Sequence, residues 1–258
     1  MNAATHAPPT ATPAATTPAA TTPSATTRPF PDESATAADR NTGRIIGALF
    51  LIGFLTYGTG GILTTSILSD GDVVGSVAGH QTTFALGAVL MLTVVAIDIA
   101  KAVLFYPLLG RPGRRTALAY LAGMVVEVTL MAVGVVALLS LLPFGDQVQS
   151  EASSTALGQT VGTFAVDLND VAYQSGQAVL TVGAFFLTVF LYRSRMVPRF
   201  LAAWGAIGYV LHFAGAVAEL FGAHISMFLL VPGGLFEVTF GIWLLINGIT
   251  SRAAIAGR

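Results

Sequence analysis

The chain has 258 residues, of which 54% are hydrophobic and only 10% are charged, whereas soluble domains carry about 25% charged residues. Its formal net charge of −1 lacks the basic excess of proteins that bind nucleic acid, and the absence of cysteine excludes disulfides, thiolate zinc sites and a cysteine nucleophile. Most of the chain is therefore expected to lie in a lipid bilayer, and no nucleic-acid partner is expected.

The N-terminal segment differs in composition from the rest. Residues 1–40 are rich in alanine, threonine and proline and contain almost no large apolar side chain. Such a segment cannot bury enough apolar surface to offset the entropy lost on ordering the chain. We therefore predict a disordered cytoplasmic tail, with an O-glycosylated stalk as the alternative interpretation.

Six apolar segments follow, each long enough to cross a bilayer. Segments in lipid must pair their own backbone donors, which favours helices. The sequence therefore predicts an all-α, polytopic membrane protein, with a bundle of six transmembrane helices over residues 41–250 and a short cytoplasmic C-terminus, residues 251–258. The predicted spans are residues 45–68, 83–108, 116–142, 168–192, 200–222 and 226–249.

Three local features refine this pattern. Residues 152–167 are only mildly apolar, which predicts an amphipathic helix on the outer face that runs into the fourth span. Pro232 lies inside the sixth apolar segment, so either that helix is kinked or residues 223–231 form a shallow outer segment and the helix begins at Pro232. The pairs Gly43/Gly47 and Gly158/Gly162 have GxxxG spacing, which in a chain with 28 glycines is mostly chance, with close helix packing as the modest interpretation.

The arginines outside the spans all fall on one side of the predicted bundle. The positive-inside rule makes that side cytoplasmic, which predicts a multi-pass protein of the cell membrane with both termini in the cytoplasm. Five aromatic residues, Tyr120 among them, fall near the same boundary and are typical of an interfacial belt. The arginines are Arg28, Arg40, Arg44, Arg111, Arg114, Arg115, Arg193, Arg195, Arg199, Arg252 and Arg258. The opposite loops contain Asp70, Asp72, His80, Asp146, Glu151 and His224.

Ionisable side chains also occur inside the predicted spans. Each costs about 2.5–3.5 kcal/mol to insert in lipid, so such groups usually face the bundle interior. Depth counted at about 1.5 Å per residue places most of them near mid-membrane, with the lysine nearer the cytoplasm. The candidate intramembrane polar site consists of Asp98, Lys101, Glu127, His212 and Glu237.

The lysine of this set needs a partner or a route to the interface. Asp98 and Lys101 are three residues apart and share one helical face, so they can form a self-neutralised pair that only holds helices together. We expect Lys101 to pair with Asp98 or Glu127, because an unpaired ammonium in the membrane is costly. The alternative is that its long stem extends to the cytoplasmic headgroups.

The fourth span carries a second polar pattern. Asp167, Asp170, Gln174 and Gln177 recur at helical spacing, and Glu219 of the fifth span lies two turns from His212 on the same face. These five residues, Asp167, Asp170, Gln174, Gln177 and Glu219, are the candidate wall of an outer, aqueous cavity. The alternative is a helix face that is buried against its neighbours through hydrogen bonds.

The sequence resembles a family of bacterial membrane proteins known as domain of unknown function 4386, which is common in actinobacteria. The similarity covers about residues 42–250. Its most specific parts are the Tyr-Arg-Ser block with its following Pro-Arg and the ending from Glu237 to Trp-Leu-Leu. The residues that carry the resemblance include Arg44–Gly47, Asp98, Glu127, Tyr173, Tyr192–Ser194, Val197–Arg199, Trp204, Gly208, Tyr209, Pro232, Glu237 and Trp243–Leu245. The resemblance implies the topology and no particular chemistry.

Three functions fit these observations. A small proton- or cation-coupled transporter is favoured by the shared depth of the intramembrane acids. A non-catalytic membrane sensor or interaction partner is favoured by the lack of the internal repeats that many transporters show. A membrane-embedded enzyme would act on a lipid-soluble substrate with an acid and His212 as general acid and base. Without HExxH, GxSxG or P-loop motifs, no metal or cofactor is expected. The expected partners are the bilayer and an unidentified small molecule, ion or membrane protein.

Overall fold

Helices make up nearly all of the chain that the structure describes. The computed structural model describes residues 33–68, 72–148 and 155–249, and no strand occurs within these ranges. Residues 1–32 of the predicted tail, Asp70, Glu151 and the C-terminal segment 251–258 lie outside the described residues. The helices are α1 (Glu33–Leu68), α2 (Val73–Gly79), α3 (Gln81–Leu139), α4 (Leu141–Val148), α5 (Thr155–Ser194), α6 (Arg199–Leu220) and α7 (Ser226–Asn247).

Five helical segments are long and apolar enough to cross a membrane. They are Ala37–Leu68, Gln81–Phe144, Ala156–Ser194, Arg199–Leu220 and Ser226–Asn247. Many large apolar side chains on these helices are exposed, among them Ile62 and Phe200, and a bilayer would cover such a surface. The prediction of an all-α, polytopic membrane protein is confirmed.

The longest of these segments folds back on itself at Gly110. A straight helix would place residues 105 and 120 about 22 Å apart, whereas the rings of Phe105 and Tyr120 have centroids only 5.7 Å apart. Gly110 has φ 62° and ψ −169°, a conformation that essentially only glycine adopts. The α3 segment is therefore a helical hairpin with arms at 81–109 and 111–139, and the five segments contain six membrane-length helical arms.

Neighbouring arms run antiparallel and form a closed ring. α1 packs on α3, α3 on α5, α5 on α6, α6 on α7, and α7 returns to α1. At the last contact a Cβ on Gly47 would lie 2.5 Å from the Gly241 carbonyl oxygen, so the two backbones touch. A Cβ on Gly43 would likewise overlap the Ile249 backbone nitrogen. Gly43 and Gly47 therefore lie at a close contact between α1 and the end of α7.

The antiparallel order gives the ring two different ends. One end gathers the start of α1, the Gly110 hairpin and the α5–α6 turn, and therefore the arginines of these segments. At the other end α2, α4 and the start of α5 pack together. Their apolar cluster comprises Ile67, Val77, Phe84, Leu138, Leu141 and Ala165. We call these the arginine end and the α2–α4 end.

Three helix boundaries differ from or refine the sequence-based prediction. α1 begins at Glu33, inside the segment assigned to the tail, because residues 33–40 contain no proline or glycine to stop a helix. α5 is continuous from Thr155, so the predicted amphipathic segment does run into the fourth span. α7 begins at Ser226 and contains Pro232 within it, so residues 226–231 belong to the sixth arm.

Candidate functional site

A cavity of about 390 Å³ lies inside the ring of helices. All five residues of the predicted intramembrane site line it: Asp98, Lys101, Glu127, His212 and Glu237. They come from both arms of α3, from α6 and from α7. Four separate helical arms therefore direct ionisable groups into one space.

Asp98 and Lys101 form an ion pair within the first arm of α3. The Lys101 Nζ lies 2.6 Å from Asp98 Oδ1, and both side chains are less than a tenth exposed. The same ammonium sits 4.3 Å from the ring centroid of Phe50, within the range of a cation–π interaction. Of the two partners expected for Lys101, the structure selects Asp98. Gly53 of α1 packs beside this pair, since a Cβ there would lie 3.2 Å from Ile97 Cγ2 and 3.6 Å from Asp98 Oδ1.

Glu127 is the most deeply buried of the cavity acids, at 2% exposure. Its Oε1 accepts a hydrogen bond from Gln177 Nε2 at 3.1 Å. The other oxygen, Oε2, is buried and has no hydrogen-bond partner among the described residues. Gly176 allows α5 to pack closely against the second arm of α3, since a Cβ on Gly176 would lie 3.1 Å from the Glu127 carbonyl oxygen. Glu127 therefore lines the cavity and has one buried acceptor without a donor among the described residues.

Two further polar groups complete the ionisable wall. Tyr209 donates its hydroxyl to Glu237 Oε1 at 2.9 Å. His212, one turn along α6, is 8% exposed, and its Nε2 has no hydrogen-bond partner within the described part of the chain. Gly208 and Gly233 allow α6 and α7 to meet at this level. The close contact between these helices holds Glu237 and His212 on the same cavity.

The residues predicted to line an outer cavity fall into separate places in the structure. Gln174 and Gln177 line the same central cavity as the intramembrane acids. Asp167 and Asp170 lie outside the lining and are exposed, although Asn169 between them packs against Gly134 of α3. No separate outer cavity formed by all five predicted residues is observed among the described residues.

Glu219, the fifth of those residues, caps a helix instead of facing the cavity. Its Oε2 accepts a hydrogen bond from the Ser226 backbone N–H at 3.1 Å, at the first residue of α7. Its Oε1 lies 3.0 Å from His224 Nδ1. A carboxylate at a helix N-terminus satisfies a free N–H and complements the helix dipole. Gln174 extends this contact, since its Nε2 donates to Ser226 Oγ at 3.2 Å.

Sequence reasoning missed the aromatic part of the cavity. Four of the six tyrosines in the chain line it: Tyr57, Tyr120, Tyr173 and Tyr209. The sequence pattern assigns Tyr120 to the interfacial belt, but this residue is 2% exposed and packs edge-on against Phe105. Aromatic residues do not stand out from an apolar segment as charges do. The useful signal is spacing, since Phe50, Gly53, Phe54, Tyr57 and Gly58 lie on one face of α1.

The cavity reaches the surface away from the arginine end. Three of its lining residues are exposed: Phe54 and Gly58 on α1 and Met227 on α7. Met227 lies in the first turn of α7, and its side chain is 71% exposed. We call these three residues the cavity mouth. α1 and α7 are in direct contact at Gly47 and Gly241, so the opening lies beyond that contact.

A family model describes most of the chain. The model named Domain of unknown function (DUF4386) matches residues 45–248. The chain belongs to this family. Every cavity-lining residue falls within the matched region, so the cavity is formed entirely by the DUF4386 domain. No curated protein matches the chain. No solved structure matches it either.

The residues described in this DUF4386 domain contain no group of three or more His, Asp or Glu side chains placed to hold a metal ion. The polar atoms of the cavity are instead distributed around its wall. This arrangement suits a bound molecule that contacts several walls, or protons that move between separate groups.

Proposed function

We propose that this DUF4386 protein is a small membrane transporter that is coupled to protons or another cation, with the central cavity as its binding site. One observation carries the proposal: Asp98, Lys101, Glu127, His212 and Glu237 line a single cavity surrounded by membrane-length helices. Ionisable groups inside a membrane are costly and are typical of ion pathways and proton relays.

The charge balance of the cavity supports coupling to a cation. Three carboxyl groups face one ammonium, and that ammonium is paired with Asp98. Among the described residues, neither Glu127 nor Glu237 has a lysine or arginine within ion-pair distance. A carboxylate inside a membrane without a counter-charge is unfavourable, so binding a proton or a cation would stabilise both groups. A coupled transporter requires such a carboxyl group to alternate between a form with the proton or cation bound and a form without it.

The arginines indicate which end of the bundle faces the cytoplasm under this proposal. The arginines gather at one end of the ring, and the positive-inside rule assigns that end to the cytoplasm of the cell membrane. Both described ends of the six-arm bundle, α1 and α7, begin or end there. The cavity mouth lies toward the α2–α4 end. The mouth lies on the surfaces of α1 and α7, in the outer half of the bundle.

Transport can be tested by recording charge movement in reconstituted vesicles on a solid-supported membrane. We expect a jump in the concentration of protons, sodium, methylammonium or guanidinium to produce a current above that of protein-free vesicles. Glu237→Gln should abolish this current, because it removes a cavity carboxylate. Asp167→Asn is the matched control and should retain it, because Asp167 is exposed and does not line the cavity.

Two outcomes would contradict a transporter. The first is a wild-type protein that gives no current with any of the four cations. The second is a Glu237→Gln variant with the same current as wild type. A protein that binds a ligand in the cavity without moving charge would instead support the sensor hypothesis.

A further inference from the structure

We propose that the cavity binds a small organic ammonium ion, with the charged nitrogen beside Glu127 and Glu237 and the organic part against the tyrosines. The inference rests on the proposed function, since it names the class of molecule that the transporter carries. It follows from three independent features of the cavity: its volume, its aromatic wall and the unpaired oxygen of Glu127.

The volume exceeds what an inorganic ion or a proton needs. A water molecule takes up about 30 Å³ of liquid, and a desolvated metal ion is smaller still. The cavity has about 390 Å³, and pockets for small organic ligands begin at about 300 Å³. Three methionines, Met124, Met131 and Met227, also line it. Their flexible thioethers adapt to the shape of an organic ligand.

The aromatic wall is suited to a positive charge. The rings of Tyr57 and Tyr173 are stacked, with centroids 5.8 Å apart and planes 11° apart. Phe54, Tyr120 and Tyr209 also line the cavity. Aromatic faces attract ammonium groups most strongly where water is excluded. The contact of Lys101 with the Phe50 ring shows that one wall of this cavity already carries a cation in that way.

Glu127 Oε2 indicates which kind of cation fits. It is a buried acceptor without a hydrogen-bond partner among the described residues, on a side chain that is 2% exposed. An N–H of a protonated amine would supply both the missing donor and the missing positive charge. A quaternary ammonium ion would supply only the charge. A primary to tertiary amine in its protonated form is therefore the ligand class that matches the site.

The test uses tritiated phenethylammonium as the probe, with the purified full-length protein in detergent. Its neutral isostere, phenethyl alcohol, has the same shape without the charge, and trimethyl(phenethyl)ammonium has the charge without an N–H. We expect saturable binding of the probe to wild type. Phenethyl alcohol should compete at least about tenfold more weakly than unlabelled phenethylammonium, because it makes neither the ion pair nor the cation–π contact. The quaternary ion should fall between the two.

Substitutions of lining residues test whether the probe binds in this cavity. Glu127→Gln and Tyr57→Leu should each weaken probe binding by about fivefold or more. Asp167→Asn should leave it unchanged. The comparison of the three ligands is made on wild type, so it decides the question even if Glu127→Gln does not fold. The proposal is overturned if wild type shows no saturable binding, if the alcohol competes as well as the ammonium, or if both cavity variants bind like wild type.

The binding result and the current measurement separate this inference from the transporter proposal. Currents driven by protons or sodium without any binding of phenethylammonium would support a transporter and reject the organic cation. Binding of phenethylammonium without current for any cation would retain the site and reject transport.

Discussion

The Asp98–Lys101 pair shows how one helix can carry two charges through an apolar environment. The residues are three apart, so the lysine stem lies along the helix and returns its ammonium to the carboxylate at 2.6 Å. Removing one member of a buried ion pair leaves an uncompensated charge, whereas replacing both with neutral groups is much better tolerated. This asymmetry makes the pair testable by a double-substitution cycle.

We expect Lys101→Met to lower the stability of the purified protein by about 3–5 kcal/mol, because it leaves Asp98 buried without its partner. Lys101→Met combined with Asp98→Asn should recover much of this loss. The control is Lys101→Met with Glu127→Gln, which should not recover it, since Glu127 hydrogen-bonds to Gln177 instead. Thermal unfolding in detergent provides the measurement. A nearly silent Lys101→Met would contradict the pair.

At the scale of single residues, the sequence identifies the charged residues of the cavity but not its neutral polar residues. Charged residues in an apolar segment are rare and expensive, so the sequence alone is enough to place Asp98, Glu127 and Glu237 in the bundle interior. The sequence does not indicate where Tyr57 and Tyr120 lie, because tyrosine occurs equally well in a core, a cavity or an interfacial belt. Only the packing of α1, α3 and α5 assigns them to the cavity.

At the scale of single elements, the hairpin at Gly110 decides the topology. The sequence predicts a loop here because two prolines and three arginines interrupt the apolar pattern between residues 107 and 115. It does not specify the sharpness of the reversal. Helical hydrogen bonding continues almost to Gly110 on both sides, so one residue in a glycine-only conformation turns the chain.

We expect Gly110→Ala to lower stability by about 1–3 kcal/mol, because a Cβ is strained at its backbone angles. Arg195 provides the opposite case. It has a positive φ of 56° in the α5–α6 turn, where glycine is less strained than other residues. Arg195→Gly should therefore be neutral or stabilising. Thermal unfolding of both variants measures the effects, and equal destabilisation by the two changes would contradict the assigned turn geometries.

Glycines also set the spacing of the helices. α1 contains one glycine at a helix contact and another in open space, so the two can be compared by substitution. A Cβ on Gly47 would overlap the α7 backbone, whereas a Cβ on Gly61 meets nothing within 4 Å. Gly47→Ala should lower stability by about 1–3 kcal/mol through overpacking. Gly61→Ala should be neutral or slightly stabilising, because alanine favours a helix over glycine. If both changes had the same effect on the unfolding temperature, the close α1–α7 contact would be wrong.

At the scale of the whole molecule, the antiparallel ring separates an arginine end from an α2–α4 end. The sequence predicts this separation, because alternation of the arginines between loops is a property of the chain alone. It does not predict the closed ring or the shared cavity. Those depend on which helix faces meet, and six apolar helices in lipid have several arrangements of similar hydrophobic burial.

The proposed orientation can be tested with single cysteines, since the natural chain contains none. His224 and Arg114 are both exposed, at opposite ends of the ring. In intact cells a membrane-impermeant maleimide should label His224→Cys and spare Arg114→Cys. After the membrane is permeabilised, both should react. Labelling of Arg114→Cys in intact cells would reverse the orientation.

The central claim is that cations move through the cavity by way of its mouth on α1, and one measurement addresses it directly. Gly58 lines the cavity, and its Cβ position is open, so Gly58→Phe should place a ring in the mouth without disturbing the helix contacts. Gly61→Phe, one turn further along α1 and outside the cavity lining, is the matched control. Cation-driven current in reconstituted vesicles is predicted to be lost in Gly58→Phe and retained in Gly61→Phe. Equal currents in the two variants and the wild type would contradict the account.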